Sequence, residues 1–180
     1  LARRLRFLGP RGLRRPLGWL GIAAAIGVAV LAAASGPALR LLGGGPVWRG
    51  MASVIDGDTI EVARQRIRLH GIDAPESDQV CERGGRPWRC GAEATAALRS
   101  RLRGQEVICR EIERDRYRRA VARCRAGGAS VNAWMVREGH AVAYLRYTFA
   151  YLPEQIEAWW HGRGLWAGGF ENPADYRHRR

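Results

Sequence analysis

The stretch SVIDGDTIEVARQRIRLHGIDAPE, residues 53–76, carries the clearest fold signal in the chain. Apolar residues at 54–55 and 60–62 flank the polar segment DGDT at 56–59, which is the pattern of two strands joined by a tight turn. A third short strand is expected over Ile67–His70, where apolar and polar side chains alternate. The folded domain is therefore predicted to begin with three short sequential strands.

The residues that follow predict helices and a second strand pair. Two strands are expected around a polar turn, over Val107–Glu113 and Ala120–Arg125. Helices are expected from apolar spacing over 91–103, over Val131–Glu138 and after Pro153. For Val131–Glu138, Ser130 is the expected N-cap and Gly139 the left-handed residue that ends the helix. On the last helix the apolar side is expected to hold Ile156, Trp159 and Trp160. Short strands with three helices favour a small β-barrel of the OB type within the α+β class, although composition alone does not distinguish it from other α+β folds.

Composition limits the chain to one domain with an appendage. It has 180 residues, 47% of them hydrophobic, which excludes disorder caused by low hydrophobicity. All of its 30 basic residues are Arg, and they outnumber 17 acidic residues to give a net charge of +13. Seven Arg and no acidic residue lie in residues 1–45, so the remainder carries a net charge of +6. A moderately basic domain of this kind suits a polyanionic partner.

The first 47 residues predict a membrane or export segment. A basic tail at 1–16 is followed by an uncharged apolar run at 17–39, which is long enough to cross a hydrocarbon core of ~30 Å. The run exceeds the usual ~7–15-residue signal core, which favours an uncleaved anchor, while Ala32-x-Ala34 offers the alternative of a cleaved signal peptide. A linker is expected at 40–47, because its Gly-rich sequence breaks a helix.

The basic tail also predicts the orientation of the chain. Because Arg-rich flanks stay in the cytoplasm, the domain expected at 48–170 and the polar tail at 171–180 are predicted on the far side of a bacterial inner membrane. There the domain faces the periplasm or the outside, and it is secreted if the apolar segment is cleaved.

The four cysteines predict two disulfides. In a hairpin over 107–125 that turns at its midpoint, Cys109 and Cys124 lie directly opposite each other, at a Cα separation of ~4.5–5.5 Å that suits a disulfide. Cys81 and Cys90 then pair by elimination. Free buried thiols are the alternative, and a zinc site is disfavoured because no C-x₂₋₄-C spacing exists. An exported location also favours disulfides.

Acidic residues concentrate at the predicted strand ends and form a candidate site. Asp58 follows one strand, and Asp73 and Glu76 follow another, so both ends can meet on one rim of a barrel. Hard oxygen ligands of this kind suit Ca²⁺. With Arg68 and the run DRYRR at 115–119, they provide the carboxylates, cation and guanidinium groups that phosphodiester cleavage uses. Taken singly, DGDT also fits an ordinary hairpin turn and DRYRR a solvated charged turn.

Five motifs in order and at compatible spacing resemble the staphylococcal (micrococcal) thermonuclease family over about residues 50–168. They are IDGDTI (55–60), RLHGIDAPE (68–76), DRYRR (115–119), VNAWMVREGHAVAY (131–144) and GLW (164–166). The resemblance implies a five-stranded OB-fold barrel with three packed helices. It also implies Ca²⁺-dependent cleavage of DNA and RNA that leaves 3′-phosphates, with no obligate protein partner. The cysteines and the apolar segment fit an exported bacterial branch of the family.

The resemblance assigns roles to matching residues. Asp58, Asp73 and the backbone oxygen of Ala74 are implied as calcium ligands. Arg68 and Arg119 are implied as the pair that clamps phosphate, and Glu76 as the group that orients or deprotonates water. Tyr117 and Tyr144 are implied as aromatic groups beside the bound nucleotide.

One departure from the family lies in the DRYRR motif. Arg118 stands where the family usually has Gly, which is expected to alter the turn or to add a second phosphate contact. The alternative function is a non-catalytic nuclease-like OB domain that binds single-stranded nucleic acid or protein. Such modules typically lose the metal and Arg positions, which are present here. The sequence therefore favours the enzyme, with single strands as the expected preferred substrate.

Overall fold

The computed structural model describes residues 45–179, and a closed β-barrel lies at its centre. The expected basic tail at 1–16, the apolar segment at 17–39 and most of the linker at 40–47 lie outside the described residues. The strands in chain order are β1 (Val47–Val54), β2 (Thr59–Val62), β3 (Gln65–Leu69), β4 (Ile72–Asp73), β5 (Cys81–Arg83), β6 (Arg86–Trp88), β7 (Glu106–Arg114), β8 (Ala120–Ala126), β9 (Ala129–Ser130) and β10 (Val142–Ala143).

Five strands form the barrel, and a parallel pairing closes it. The sheet order is β3-β2-β1-β7-β8-β9, and β3 also pairs with β8 in parallel, with Arg68 beside Val121. The short pairs β4–β10 and β5–β6 lie outside this sheet. Alternating side chains of β2 and β3 fill the interior, where Ile60, Val62, Ile67 and Leu69 are buried. The predicted five-stranded OB-fold barrel is confirmed.

Helices cover the barrel at the expected positions, and one more follows them. They are α1 (Cys90–Leu102), α2 (Val131–Arg137), α3 (Leu152–Trp160), a 3₁₀ helix (Gly164–Ala167) and α4 (Pro173–His178). The Ser130 hydroxyl accepts a hydrogen bond from the Ala133 amide at 3.2 Å, so it caps α2 as predicted. Gly139 ends that helix with a φ of +70°, the left-handed conformation expected of it.

The apolar side of α3 differs from the expectation. Ile156, Trp159 and Trp160 are 53%, 59% and 77% exposed instead of facing the core. Ala158 is the buried residue of this helix, and ion pairs from Arg137 at 3.2 Å join α2 to α3. The helix therefore meets its neighbour through a small residue and charged groups, which turns the aromatic side outward.

Both predicted disulfides are present. Cys109 and Cys124 are paired residues of β7 and β8 with a Cα separation of 4.1 Å. Cys81 and Cys90 join the β5–β6 hairpin to the start of α1, with a Cα separation of 5.7 Å. The two bonds use all four cysteines.

Within the predicted polar tail, residues 171–179 contain the short helix α4. The side chain of Asn172 accepts a hydrogen bond from the Ala174 amide at 3.0 Å, and Pro173 occupies the first turn of α4. No helix of the described part of the chain is both long and apolar enough to span a bilayer.

Candidate functional site

The β2–β3 pair brings Asp58 next to Arg68. Thr59 of β2 pairs with Arg68 of β3, and the Leu69 amide donates to the Asp58 carbonyl oxygen at 2.8 Å. The turn before β2 is held by Asp56, whose carboxylate accepts a hydrogen bond from the Asp58 amide at 3.0 Å. The DGDT segment is therefore a hairpin turn that also aims one carboxylate at the β3 arginine.

A close approach of two loops brings Asp73 to the same place. Gly57 packs so tightly on Ala74 that an added Cβ would lie 2.7 Å from the Cβ of Ala74. The Ala74 amide donates to the Asp58 carboxylate at 3.3 Å, which ties the two loops together. Glycine is required at position 57 because any larger side chain would separate the two acidic loops.

Arg68 bridges the two buried carboxylates. Its Nη1 donates to Asp58 Oδ1 at 3.0 Å, and its Nη2 donates to Asp73 Oδ1 at 2.8 Å and lies 3.0 Å from Asp58 Oδ2. Asp58 is 4% exposed and Asp73 is 0% exposed. We refer to Asp58, Arg68, Asp73 and Glu76 as the acidic cluster.

Burial sets the electrostatics of the acidic cluster. Desolvation raises the pKa of Asp58 from 3.8 to about 6, against the lowering effect of the Arg68 charge, while Asp56 and Asp73 raise it further. Burial lowers the pKa of Arg68, but Asp58 and Asp73 more than compensate and the net pKa is raised. The negative charge of Asp58 is therefore incompletely balanced by the protein, while Arg68 stays protonated.

Glu76 stands on a rigid support that the sequence did not reveal. The buried side chain of Gln79 accepts a hydrogen bond from the Glu76 amide at 3.2 Å, and the Gln79 amide donates to the Glu76 carbonyl at 2.8 Å. Gly91 of α1 lies so close that an added Cβ would be 1.6 Å from the Glu76 carbonyl oxygen. The backbone is thus held from two sides, while the carboxylate remains one-third exposed.

Arg177 of α4 is a member of the site that sequence reasoning missed. Its Nη2 donates to both carboxylate oxygens of Asp73, at 2.7 and 2.8 Å, and its Nη1 donates to Glu76 Oε1 at 3.0 Å. Arg177 lies in the segment that was predicted to be a polar tail. Asn172-Pro173 is a helix-start signal from which α4 could have been predicted. No local pattern predicts these contacts, because Arg177 is separated in sequence from Glu76 by 101 positions and from Asp73 by 104 positions.

Arg119 and Tyr117 lie at the β7–β8 turn and not on the acidic cluster. The Arg119 Nε donates to Asp115 Oδ2 at 2.7 Å, and the other oxygen of Asp115 accepts from the amides of Tyr117 and Arg119 at 2.9 Å. The Tyr117 ring is 65% exposed. Arg118 has a φ of +61°, so this turn keeps a left-handed residue where the family usually has Gly.

Tyr144 lies close to Asp73 through the β4–β10 pairing. Val142 pairs with Asp73, and the Tyr144 amide donates to the Gly71 carbonyl at 2.9 Å. The side chain lines a shallow cavity of about 330 Å³ that Asp175 of α4 also borders. Of the two tyrosines expected beside a nucleotide, Tyr144 therefore directly follows the strand that pairs with Asp73, whereas Tyr117 lies on the separate β7–β8 turn.

The donors of the acidic cluster fit a hard cation. Within residues 45–179, no group of three or more His, Cys, Asp or Glu side chains is arranged to hold a metal ion. The implied ligands are instead two carboxylates, Asp58 and Asp73, and one backbone oxygen, that of Ala74. Ca²⁺ accepts such ligands and completes its shell with water. The raised pKa of Asp58 supports the fit, because a nearby cation would balance its buried charge.

Comparison with known proteins matches residues 66–168 to the protein family described as staphylococcal nuclease homologue. An uncharacterized endonuclease of Escherichia coli is 40% identical over 135 residues, which cover 71% of this chain and 82% of that protein. The micrococcal nuclease of Shigella flexneri is 39% identical over 131 residues, covering 63% of this chain and 70% of that protein.

A further relative carries a different kind of name. The succinoglycan biosynthesis protein ExoI of Rhizobium meliloti is 44% identical over 123 residues, covering 65% of this chain and 63% of that protein. The match thus spans a little under two thirds of the length of this relative.

Proposed function

Because the chain belongs to the staphylococcal nuclease homologue family, we propose that it is a calcium-dependent nuclease that hydrolyses DNA, RNA or both and leaves 3′-phosphates. The observation that carries the proposal is the acidic cluster, in which two buried carboxylates and the partly buried guanidinium of Arg68 lie beside the firmly supported Glu76. The relatives named as nucleases support the same reaction class.

The carboxylates of Asp58 and Asp73, with the Ala74 backbone oxygen, would hold the cation. A bound divalent cation neutralises charge that develops on the phosphate during cleavage. Gly57 and the Ala74 amide keep the two loops in contact, so these oxygens are positioned before substrate arrives. Preorganised groups of this kind need little rearrangement during the reaction.

Glu76 orients the attacking water or removes its proton. Its backbone is fixed by Gln79 and by the close approach of Gly91, while its carboxylate stays partly exposed to solvent. A carboxylate on a fixed backbone is suited to this role, although here its Oε1 also accepts a hydrogen bond from Arg177 Nη1 at 3.0 Å.

Two arginines neutralise the phosphate from different directions. Arg68 is anchored on Asp58 and Asp73, whereas Arg119 is held by Asp115 at the β7–β8 turn. Arg119 bonds Asp115 through Nε, which leaves its Nη1 and Nη2 donors for a phosphate oxygen. Arg118 in the same turn adds a second exposed positive charge beside it. Single strands are the preferred substrate in this proposal, because Tyr117 and Tyr144 offer rings on which unpaired bases can stack.

Release of acid-soluble nucleotides from DNA and from RNA, with Ca²⁺ and with chelator, tests the proposal. Glu76→Gln is expected to lower the rate about 10²–10⁴-fold and Arg119→Ala about 10²–10³-fold, because proton transfer and charge stabilisation are lost separately. Glu106→Gln and Arg49→Ala are matched controls, since these exposed residues pair with each other on β7 and β1. Product ends are identified by whether a phosphatase specific for 3′-ends releases phosphate from the products.

The outcomes separate the nuclease from the binding-domain alternative. If both variants kept near-normal turnover at saturating Ca²⁺, the assigned site would be wrong. A chain that binds single-stranded oligonucleotide but releases no nucleotide under any metal condition would instead be a non-catalytic OB domain.

We also propose that the domain works outside the cytoplasm of a bacterium, anchored by residues 17–39 in the inner membrane. Six Arg before the apolar run support this orientation, and two disulfides suit an oxidising compartment. The full chain should then pellet with membranes and resist carbonate extraction, and added protease should reach the domain once the outer barrier is opened. A soluble exported product beginning near Ser35 would reject the anchor.

A further inference from the structure

Helix α4 delivers a guanidinium onto the carboxylates to which the proposed function assigns the metal and the water. Arg177 Nη2 is shared between both oxygens of Asp73, and Nη1 is bound to Glu76 Oε1. Asp73 is 0% exposed, so each of its two oxygens has few routes to any other partner. Arg177 therefore binds both oxygens of Asp73 and one oxygen of Glu76.

The segment that carries Arg177 is attached to the domain along its length. The Glu82 amide donates to the Gly169 carbonyl at 2.7 Å, and Gln79 Nε2 donates to the Glu171 carbonyl at 2.8 Å. Pro173 is buried at the start of α4. Because Gln79 also accepts from the Glu76 amide, one buried side chain supports both the catalytic glutamate and the path of the C-terminal segment.

Calcium and Arg177 require the same oxygen atoms. Ca²⁺ binds oxygen ligands at about 2.3–2.6 Å, whereas Nη2 of Arg177 lies 2.7 and 2.8 Å from the two oxygens of Asp73. A cation on Asp73 cannot share that space with a guanidinium, and two positive groups at such a distance repel. Arg68 also donates to Asp73 Oδ1, at 2.8 Å, but unlike Arg177 it is anchored on Asp58 as well.

We propose that Arg177 competes with the divalent cation for Asp73 and Glu76, so that α4 closes the site in the metal-free chain and cation binding releases it. This inference rests on the proposed function, because it takes the acidic cluster as the cation site. Arg177 acts as a built-in substitute for part of the metal charge. Two guanidinium groups and three carboxylates leave one negative charge on the metal-free cluster, which limits repulsion between Asp58 and Asp73 until the cation arrives.

α4 is released because the cation displaces Arg177 from the carboxylates, and not because Arg177 loses a proton. An arginine side chain in a protein is not deprotonated at any pH compatible with folding. The guanidinium therefore stays charged at every pH at which the protein is folded. Freed from the cluster, it remains next to the site as a third arginine that a phosphate group can meet.

Calcium titration of the full chain by calorimetry tests the competition directly. Arg177→Ala is expected to bind Ca²⁺ about tenfold more tightly than the unsubstituted chain, which corresponds to about 1.4 kcal/mol. Arg179→Ala is the matched control, because Arg179 lies one residue beyond α4 and pairs with Glu171 instead of the cluster. The control should leave the calcium Kd unchanged.

A second measurement uses the unsubstituted chain and does not depend on the folding of a variant. Trypsin can cut after Arg177 only when that side chain leaves Asp73 and enters the protease. Addition of Ca²⁺ should therefore speed cleavage of the Arg177–His178 bond relative to the same chain in chelator, as followed by mass spectrometry. Equal cleavage rates with and without Ca²⁺ would overturn the competition.

The remaining outcomes separate this inference from the proposed function. An Arg177→Ala chain whose calcium Kd equals that of Arg179→Ala overturns the competition, even if the chain is an active nuclease. A tighter calcium Kd in a chain that cleaves no nucleic acid supports the competition and refutes the proposed function. If the unsubstituted chain binds no Ca²⁺ and Arg177→Ala binds none either, the competition is refuted.

Discussion

Asp58→Asn should stabilise the metal-free protein near neutral pH although it removes a charged partner of Arg68. The reason is the buried position of this carboxylate, which is 4% exposed and has its pKa raised by burial to about 6. An amide of nearly the same shape removes the charge that burial disfavours. Arg68 keeps its bond to Asp73 at 2.8 Å and so remains paired.

The pKa change sets the size of the effect. A rise from 3.8 to about 6, at about 1.36 kcal/mol per tenfold change in proton affinity, corresponds to about 3 kcal/mol. Asn can place its oxygen toward the Ala74 amide and Arg68 Nη2, and its NH₂ toward the Thr59 hydroxyl, but one N–H then faces Arg68 Nη1. Allowing about 1 kcal/mol for that mismatch leaves a net gain of about 2 kcal/mol in the free energy of unfolding.

The pH determines whether Asp58→Asn stabilises or destabilises the protein. Because the folded-state pKa of Asp58 is raised, its contribution to stability is fully present below about pH 4 and is lost as the pH rises to about 6. Asp58→Asn has no titrating group at this position, so its stability does not decrease in this way as the pH rises. The difference in unfolding free energy between variant and unsubstituted chain should therefore grow from about −1 kcal/mol near pH 4 to about +2 kcal/mol above pH 6, and then stay constant.

Urea denaturation in chelator, followed by tryptophan fluorescence at several pH values, measures this difference. The other carboxylates contribute equally to both proteins, so their titration cancels. Added Ca²⁺ should stabilise the unsubstituted chain and have much less effect on the variant, which has lost one implied ligand. A variant that is less stable at pH 7 in chelator, or a difference that does not change between pH 4 and 6, would refute the argument from burial.

Three further perturbations, one disulfide reduction and two substitutions, test the scaffold. Reduction of the Cys109–Cys124 bond, which closes a separation of 15 residues, should lower stability by about 3 kcal/mol and lower the melting temperature in calorimetry; an unchanged melting temperature would contradict this. Arg118→Gly should raise the free energy of unfolding by about 1 kcal/mol in urea, because it relieves a φ of +61°, and Arg116→Gly in the same turn should not. Asn132→Leu should lower stability by about 3 kcal/mol or more, because the buried amide joins the Cys124 amide to the His70 and Ala122 carbonyls at 2.9–3.2 Å; an unperturbed melting curve would show that these bonds contribute little.

Local pattern was enough to predict most of the scaffold. Alternation over two or three residues predicted the first strands, and helical spacing with Ser130 and Gly139 predicted α2 to within a residue. The register of the β7–β8 hairpin followed from its midpoint, so the opposition of Cys109 and Cys124 was predictable as well. These features depend on neighbours in the chain, and their physical causes act over a few residues.

The grouping of Asp58, Arg68 and Asp73 could also be predicted from the sequence. All three lie within one strand hairpin and the loop after it, so the pairing of Thr59 with Arg68 nearly suffices to bring them together. The position of Arg119 was less accessible, because the bond to Asp115 depends on the conformation of the β7–β8 turn and not on its composition.

Only the tertiary structure decided what covers the site and what stays exposed. Arg177 reaches Glu76 across 101 residues, and Gln79 reaches the carbonyl of Glu171 across 92. The outward aromatic side of α3 likewise follows from how that helix meets α2, and not from its own periodicity. The side-chain pattern shows whether a residue can be buried or charged. Its partner is set by the path of the whole chain, because contacts of this separation join elements that only the folded barrel brings together.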